Sequence, residues 1–202
     1  MPTGLRERKK AETRQAIADA ALALAVERGP AAVTVDDIAD AAGVSARTVF
    51  NYFPTKEAAI LGFDPDRRRE LVARFEARPP AETPLEALRE AMRGSRPGEG
   101  AVTWSTRARL ALDHPQLQSA YVAGFATLED ELTDAVARRV GVDPAVDVYP
   151  RLVVTLAVTA TRVAIHHAID DAIDQGRPEA ISSSIDEAFA ALAAGLPGPR
   201  PC

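Results

Sequence analysis

A short predicted helix carries the side chains with the most specific hydrogen-bonding chemistry in the chain. Arg47 and Asn51 lie four residues apart between Ala46 and Phe53, so they share one face of that helix. The planar guanidinium of an arginine can bond O6 and N7 of guanine at once, and an asparagine amide can pair with adenine. This pattern favours recognition of base edges rather than catalysis.

Two segments with clear start and stop signals must position these side chains. Thr34 can cap the first helix in a capping box with aspartate in place of glutamate, and Gly43 ends that helix. Ser45 caps the next helix only two residues later. Two helices of about eight residues joined by so short a turn predict a helix-turn-helix over residues 34–53. Because such short helices are not stable alone, they need the apolar face of a long helix predicted over residues 5–28.

The composition is that of an alanine-rich helical protein with an acidic balance. Of 202 residues, 47% are hydrophobic and 5% aromatic, and the net charge of −5 argues against a protein that coats nucleic acid through bulk charge. Residues 6–14 hold five basic groups against two acidic ones, which fits either a DNA-phosphate contact or a solvated helix start. No apolar run approaches the roughly 18 residues of a membrane span. The charged N-terminus and the single cysteine, Cys202, predict a cytoplasmic protein.

Residues 11–62 carry a dense set of fixed spacings. The positions concerned are Ile17, Ala20, Ala21, Leu24, Gly29, Thr34, Val35, Asp37, Ile38, Ala39, Ala42, Gly43, Val44, Ser45, Thr48, Val49, Phe50, Tyr52, Phe53, Lys56 and Glu57. Together they resemble the DNA-binding domain of the tetracycline-repressor (TetR) family, and the chain is similar in helical layout to actinobacterial members. Phe50 departs from the usual tyrosine and lacks its phosphate contact. Ala25 and Pro30 replace the usual aromatic residues and thin the domain core.

The resemblance implies a set of eight DNA contacts. They are Thr34, Ser45, Ala46, Arg47, Thr48, Asn51, Tyr52 and Lys56. We expect Arg47 to read guanine, Ala46 or Thr48 to touch a thymine methyl, and Asn51 to read adenine or contact phosphate. Thr34 can hold a phosphate together with the free N–H groups of its helix. The alternative is a plain helical packing unit with no DNA role.

The rest of the chain also predicts helices, with no alternation typical of strands. They are expected over residues 64–78, 83–93, 101–112, 115–140, 144–175 and 178–194. Pro150 either kinks the fifth of these or delays its start. We therefore expect an all-α protein of about nine helices. An N-terminal three-helix DNA-binding domain covers residues 1–62, a helical ligand-binding and dimerisation domain covers 63–197, and residues 198–202 form a disordered tail.

Two apolar stripes near the C-terminus predict a subunit interface. The first comprises Leu152, Val153, Leu156, Ala157 and Ala160, and the second comprises Ile181, Ile185, Phe189 and Leu192. A single helix-turn-helix reads too few base pairs for a specific site, so such proteins bind DNA as twofold dimers. We expect a homodimer through the last two helices, which would form a four-helix interface. The alternative is that both stripes face the intramolecular core.

Aromatic and basic side chains in the middle of the chain predict a ligand pocket. The candidates are Trp104, Arg107, Tyr121, Phe125 and His166. An apolar pocket with one or two polar groups suits a small, mainly apolar effector that can carry a carboxylate. Residues 104–117 resemble family members that sense acyl-type metabolites. For each aromatic residue, ordinary core packing is the alternative.

The sequence carries no motif for catalysis, metal binding or a cofactor. It lacks H-E-x-x-H, G-x-S-x-G and a phosphate-binding glycine loop. His167, Asp171 and Asp174 share a helix face, but without a second ligand set a solvated acidic helix end is the simpler interpretation. We therefore expect neither enzyme activity, nor a metal, nor a cofactor.

The favoured hypothesis is a repressor that an effector releases from double-stranded operator DNA. The alternative is a DNA-binding or partner-binding helical protein without a small-molecule ligand.

Overall fold

The computed structural model describes residues 4–93, 100–174, 177 and 179–196, and for residues 7, 100–104, 170–174 and 179 it describes the backbone alone. Ten helices and no strand occur in that part of the chain, which confirms the all-α prediction. The helices are α1 (Leu5–Arg28), α2 (Val35–Ala42), α3 (Ala46–Tyr52), α4 (Lys56–Leu61), α5 (Pro65–Glu76), α6 (Pro84–Arg93), α7 (Gly100–Asp113), α8 (Pro115–Val140), α9 (Tyr149–Asp174) and α10 (Glu179–Ala193). Because α4 is a separate helix, the N-terminal segment has four helices instead of three.

The chain divides into two compact units. The first comprises Met1–Asp64 together with Arg107–Gly124, and the second comprises Pro65–Thr106 together with Phe125–Cys202. The N-terminal segment of the first unit ends at Asp64, but the unit also includes residues 107–124, which we expected in the second domain. No local pattern in α7 or α8 indicates that parts of them join the first unit.

The apolar face of α1 organises the first unit. It packs against α2 and α4, and α2 packs against α3. The largest fully buried side chains of this unit include Ile17, Val33, Ile38, Val49 and Ile60. Burying each such side chain stabilises the fold by roughly 1.5–3 kcal/mol, and this packing holds the short α2 and α3 in place.

The second unit is built around α9, which packs against α6 and α10. Helix α9 begins at Tyr149, so Pro150 delays the start of the helix and lies in its first turn, where a missing N–H is tolerated. From α10, the side chains of Ile181, Ile185 and Phe189 are buried within the chain itself. The stripe on α10 therefore belongs to the intramolecular core, which corrects its assignment to a subunit interface.

Helix α9 is also long and apolar enough to span a membrane by length and composition alone. Its residues Tyr149–Ile169 have a mean hydropathy of 1.5 over the apolar window. No uninterrupted apolar run of this length occurs there, because Arg151 and Arg162 interrupt the apolar residues, but the mean hydropathy of the window stays high. Half of the window is buried inside the fold, as expected of a core helix.

Candidate nucleic-acid interface

Helix α2 begins with the expected capping box. The backbone N–H of Asp37 donates to Thr34 Oγ1 at 3.1 Å, and the backbone N–H of Thr34 donates to Asp37 Oδ2 at 2.9 Å. The hydroxyl of Thr34 and its backbone N–H both donate to the Asp37 carboxylate, and these two bonds, with a smaller contribution from the charge of Arg28, lower the pKa of the Asp37 carboxyl. The carboxylate therefore stays ionised at the N-terminus of α2, where the helix dipole favours negative charge.

A tight turn joins α2 to α3. Gly43 has a φ of +66° and its N–H bonds back to α2, while the N–H of Val44 donates to Ala39 O at 2.9 Å. A residue with a side chain is strained in this left-handed conformation. Ser45 then caps α3, accepting from the N–H of Thr48 at 3.2 Å, and the two hydroxyl oxygens lie 2.9 Å apart. Both hydroxyls are thus held at the N-terminal end of α3.

Helix α3 presents one face to solvent and buries the other. Val49 is buried, whereas Arg47, Phe50 and Asn51 are exposed, and Phe50 keeps 55% of its surface accessible. Because Phe50 and Asn51 lie three and four positions after Arg47, the three residues form one surface, here called the recognition face. Ala46 flanks it and is half-buried. The structure therefore brings the predicted base-reading side chains together.

Lys56 is predicted to contact DNA phosphate, but its ammonium group already has partners within the protein. Its Nζ donates to the carbonyl oxygens of Val33 at 2.7 Å, Pro30 at 3.1 Å and Ala31 at 3.4 Å. An ammonium has three N–H donors. These bonds give Lys56 a positioning role, since they hold the loop that leads to Thr34. A direct phosphate contact by Lys56 stays a prediction.

Arg14 anchors the C-terminal end of α3, a role that the sequence did not reveal. Its Nη1 donates to Tyr52 O at 3.0 Å, and its guanidinium lies 5.1 Å from the ring centroid of Phe53 and 5.5 Å from that of Tyr52. The other bases of the N-terminal segment (Arg6, Arg8, Lys9 and Lys10) are exposed. A usable signal was the position of Arg14 three residues before the buried Ile17, which places it beside the apolar face of α1.

The five predicted ligand-binding residues do not all belong to one compact unit. Arg107 and Tyr121 belong to the first unit, where the ring centroids of Tyr121 and Phe63 are 6.4 Å apart. Phe125 and His166 belong to the second unit. The side chain of Trp104 lies outside the described residues.

Arg107 is 5% exposed and bonds to backbone carbonyl groups of the DNA-binding helices, namely Ile60 O and Ala18 O, each at 3.1 Å. These bonds give it a structural role in the first unit, and a direct ligand contact stays a prediction. No group of three potential metal ligands occurs among the residues with described side chains, which do not include Asp171 and Asp174.

Two capped helices that meet at Gly43 and expose Arg47 define the first unit as a helix-turn-helix DNA-binding domain. Residues 17–60 match the family model for bacterial regulatory proteins of the tetR family, and residues 82–197 match the model for the MftR C-terminal domain. The chain therefore belongs to the TetR family of transcriptional regulators, and the resemblance found in its sequence is confirmed.

Two actinobacterial relatives align with nearly the whole chain. The HTH-type transcriptional regulator TcmR of Streptomyces glaucescens is 31% identical over 198 residues, which covers 87% of this chain and 88% of TcmR. A protein described as a mycofactocin biosynthesis transcriptional regulator, MftR of Mycobacterium tuberculosis, is 27% identical over 94% of this chain and 93% of its own. Both are named as regulators, so the chain belongs to a class of DNA-binding regulators and not of enzymes.

Solved structures of this family share the fold. The fatty acid degradation regulator FadR from Bacillus halodurans aligns with a TM-score of 0.59 at 16% identity, covering 98% of this chain and 100% of its own. SmeT, the repressor of a Stenotrophomonas maltophilia multidrug efflux pump, aligns with a TM-score of 0.54 at 22% identity, covering 93% and 97%. At these identities the likeness concerns the fold alone.

Proposed function

We propose that the protein is a dimeric, sequence-specific repressor in the cytoplasm that a small, mainly apolar effector releases from its operator. The observation that carries the proposal is the recognition face. Arg47 and Asn51 project from a short capped helix that is held at both ends, by Ser45 at its start and by Arg14 at its end. A side chain that reads bases needs this kind of rigid support, because a small displacement loses the bidentate geometry.

Contacts with the phosphate backbone complete the proposed DNA interface. Thr34 is exposed at the N-terminus of α2, where unbonded N–H groups and the helix dipole attract an anion. Ser45 and Thr48 offer hydroxyl groups at the N-terminus of α3, and Tyr52 lies at its other end. The exposed bases that precede Arg14 add charge without sequence preference.

An exposed apolar strip on α9 supports the proposed dimer. Leu152 and Leu156 are 54% and 40% exposed, and Val163 lies on the same helical face. A shallow apolar groove of about 150 Å³ runs beside them, lined by Leu85, Tyr149, Leu152, Val153, Leu156 and Leu192. Solvent-exposed leucines that line an apolar groove suit a self-complementary twofold contact. The proposed interface thus rests on α9, with Leu192 as the contribution of α10.

The release mechanism requires a link between the effector site and the DNA-binding helices. Residues 107–124 of α7 and α8 belong to the first unit, and Arg107 bonds to the carbonyl oxygen of Ile60 in the last turn of α4. A displacement of α7 would therefore move α4. Two recognition helices must fit major grooves about 34–36 Å apart, so a small movement weakens binding, and the coupling is reciprocal. A solved complex of SmeT with triclosan shares the fold.

Gel retardation with DNA from upstream of the protein's own coding region tests the proposal. We expect a specific complex whose affinity falls steeply as salt rises, since phosphate contacts release counterions. Light scattering should give twice the chain mass of 21.5 kDa. Leu156→Glu should yield a monomer that binds this DNA weakly, whereas Val146→Glu, at an exposed site before α9, should change neither property. A wild-type monomer, or equal retardation of unrelated DNA, would contradict the proposal.

A further inference from the structure

Side chains bridge α8 and α9 within the second unit. Phe125 of α8 lies under the guanidinium of Arg162, with 5.9 Å from the ring centroid to Cζ. Further along the same pair of helices, Thr155 donates to Glu129 Oε2 at 3.2 Å. The residue numbers rise along α8 as they fall along α9, so the two helices run antiparallel at this seam.

Two nitrogen atoms at this seam are buried without a hydrogen-bond partner. They are Nε of Arg162 and Nε2 of His166, which lie four residues apart on α9 and therefore on one face. Both side chains are only half-buried as a whole, so the remaining atoms can be reached from solvent. Buried polar atoms in proteins nearly always have a partner, and an arginine can only donate. Among the side chains that the structure describes, none accepts a hydrogen bond from Nε of Arg162.

Two carboxylates of the facing helix have other partners. Glu129 accepts from Thr155, and Asp130 forms an ion pair with Arg151 at 2.8 Å. Burial lowers the pKa of His166, and the positive charge of Arg162 lowers it further. Arg162 and His166 thus form an electropositive site that is rich in hydrogen-bond donors. The ring of Phe125 provides an apolar surface beside it.

We propose that Arg162 and His166 bind the anionic group of an amphipathic effector, a carboxylate or a phosphate ester, while Phe125 packs against its apolar part. The assignment rests on the proposed effector-responsive function and names the polar group of the effector. A guanidinium bonds an oxyanion through two parallel N–H groups, and the neutral histidine adds a donor. Arg162 takes the role that the sequence suggested for Arg107, whose guanidinium is bonded within the first unit.

Calorimetry on the full-length protein with three simple probes tests the proposal. The probes are octanoate, octyl phosphate and octanol, which share an apolar chain and differ in the head group. We expect at least one anion to bind about tenfold more tightly than octanol, as a charge-assisted bond to a partly buried arginine implies. The tighter anion identifies the head group as carboxylate or phosphate. Equal binding of octanol, or no binding of either anion at millimolar concentration, overturns the proposal.

Single substitutions test whether Arg162 is responsible for the preference for an anion. Arg162→Gln should weaken binding of the preferred anion about tenfold and leave octanol unchanged. Arg151→Gln removes the same charge from the same helix at an ion-paired site and should leave both unchanged. Equal losses for anion and alcohol in Arg162→Gln would show a merely structural role. If circular dichroism shows that Arg162→Gln is unfolded, Arg162→Lys replaces it as the test. This variant keeps the charge and should lose only part of the preference for the anion over octanol.

DNA binding measured on the same preparations separates the two claims. Specific DNA binding without any preference for an anion overturns the effector assignment and leaves the regulator standing. Anion preference without specific DNA binding overturns the proposed function instead. Both claims stand when the preferred anion weakens DNA binding by the wild type and not by Arg162→Gln.

Discussion

Arg107 of α7 donates a hydrogen bond from Nε to the carbonyl oxygen of Ile60 in the last turn of α4, at a distance of 3.1 Å. Its Nη2 reaches Ala18 O in α1, also at 3.1 Å. One buried guanidinium thus joins three helices of the first unit. Gly62 makes room for it, because a Cβ added there would lie 2.6 Å from Cζ of Arg107.

Replacing this arginine should destabilise the first unit. We expect Arg107→Gln to lower the free energy of unfolding by about 2–3 kcal/mol, since bonds from a buried charged donor are lost. Specific DNA affinity should fall with it, because α4 loses its anchor. Urea unfolding followed by circular dichroism measures the first effect. Arg67→Gln, at an exposed site on α5, serves as the control. Equal stability of both variants would show that the Arg107 bonds contribute nothing.

Phe50 offers a test of the recognition face that is independent of charge. Because 55% of its surface is exposed, Phe50→Ala should change stability by no more than about 0.5 kcal/mol. We expect the same change to weaken specific DNA binding about tenfold, through lost contact with a sugar or a thymine methyl. Phe50→Tyr restores a hydroxyl and should bind DNA at least as tightly as the wild type. Fluorescence anisotropy with labelled operator measures both, and unchanged affinity of Phe50→Ala would exclude the contact.

The cap of α2 should contribute to both folding and binding. Thr34→Ala removes the hydroxyl that accepts from the N–H of Asp37 and should cost about 1 kcal/mol, as helix N-caps typically do. For a chain of this size that corresponds to a Tm about 2–4 °C lower. Ser183→Ala, at an exposed site within α10, should leave the Tm unchanged. Differential scanning calorimetry makes the comparison, and an equal Tm for both variants would rule out a stabilising cap.

Helix boundaries and caps could be predicted from the sequence, whereas long-range anchors could not. Thr34, Ser45 and Gly43 act on residues within one helical turn, so their types reveal their roles. Arg107 bonds to a residue 47 positions away, and nothing in its local sequence marks that partner. The same limit applies to the stripe on α10, because a helical period shows that a face is apolar but not what covers it.

Acid should destabilise the fold partly through His166. Its pKa is lowered from 6.5 in the folded state by burial and by the charge of Arg162. A lowered pKa means that the unfolded chain binds the proton more readily. This contribution to stability is therefore complete above pH 6.5 and is lost as the pH falls through the folded-state pKa.

We expect urea unfolding to show a smaller loss of stability between about pH 7.5 and about pH 5.5 in His166→Gln than in the wild type. His114→Gln, which changes a half-buried histidine of the first unit, is the matched control. Parallel pH profiles for the wild type and His166→Gln would contradict the assignment.

Base reading by Arg47 is the central claim, and a footprint on the upstream DNA tests it most directly. The wild type should protect a pseudo-palindrome whose half-sites lie about one helical turn apart. Arg47→Ala should lose about 1–3 kcal/mol of discrimination at one guanine in each half-site while it keeps non-specific binding. Arg67→Ala should footprint like the wild type. An identical footprint and unchanged base preference for Arg47→Ala would contradict the account.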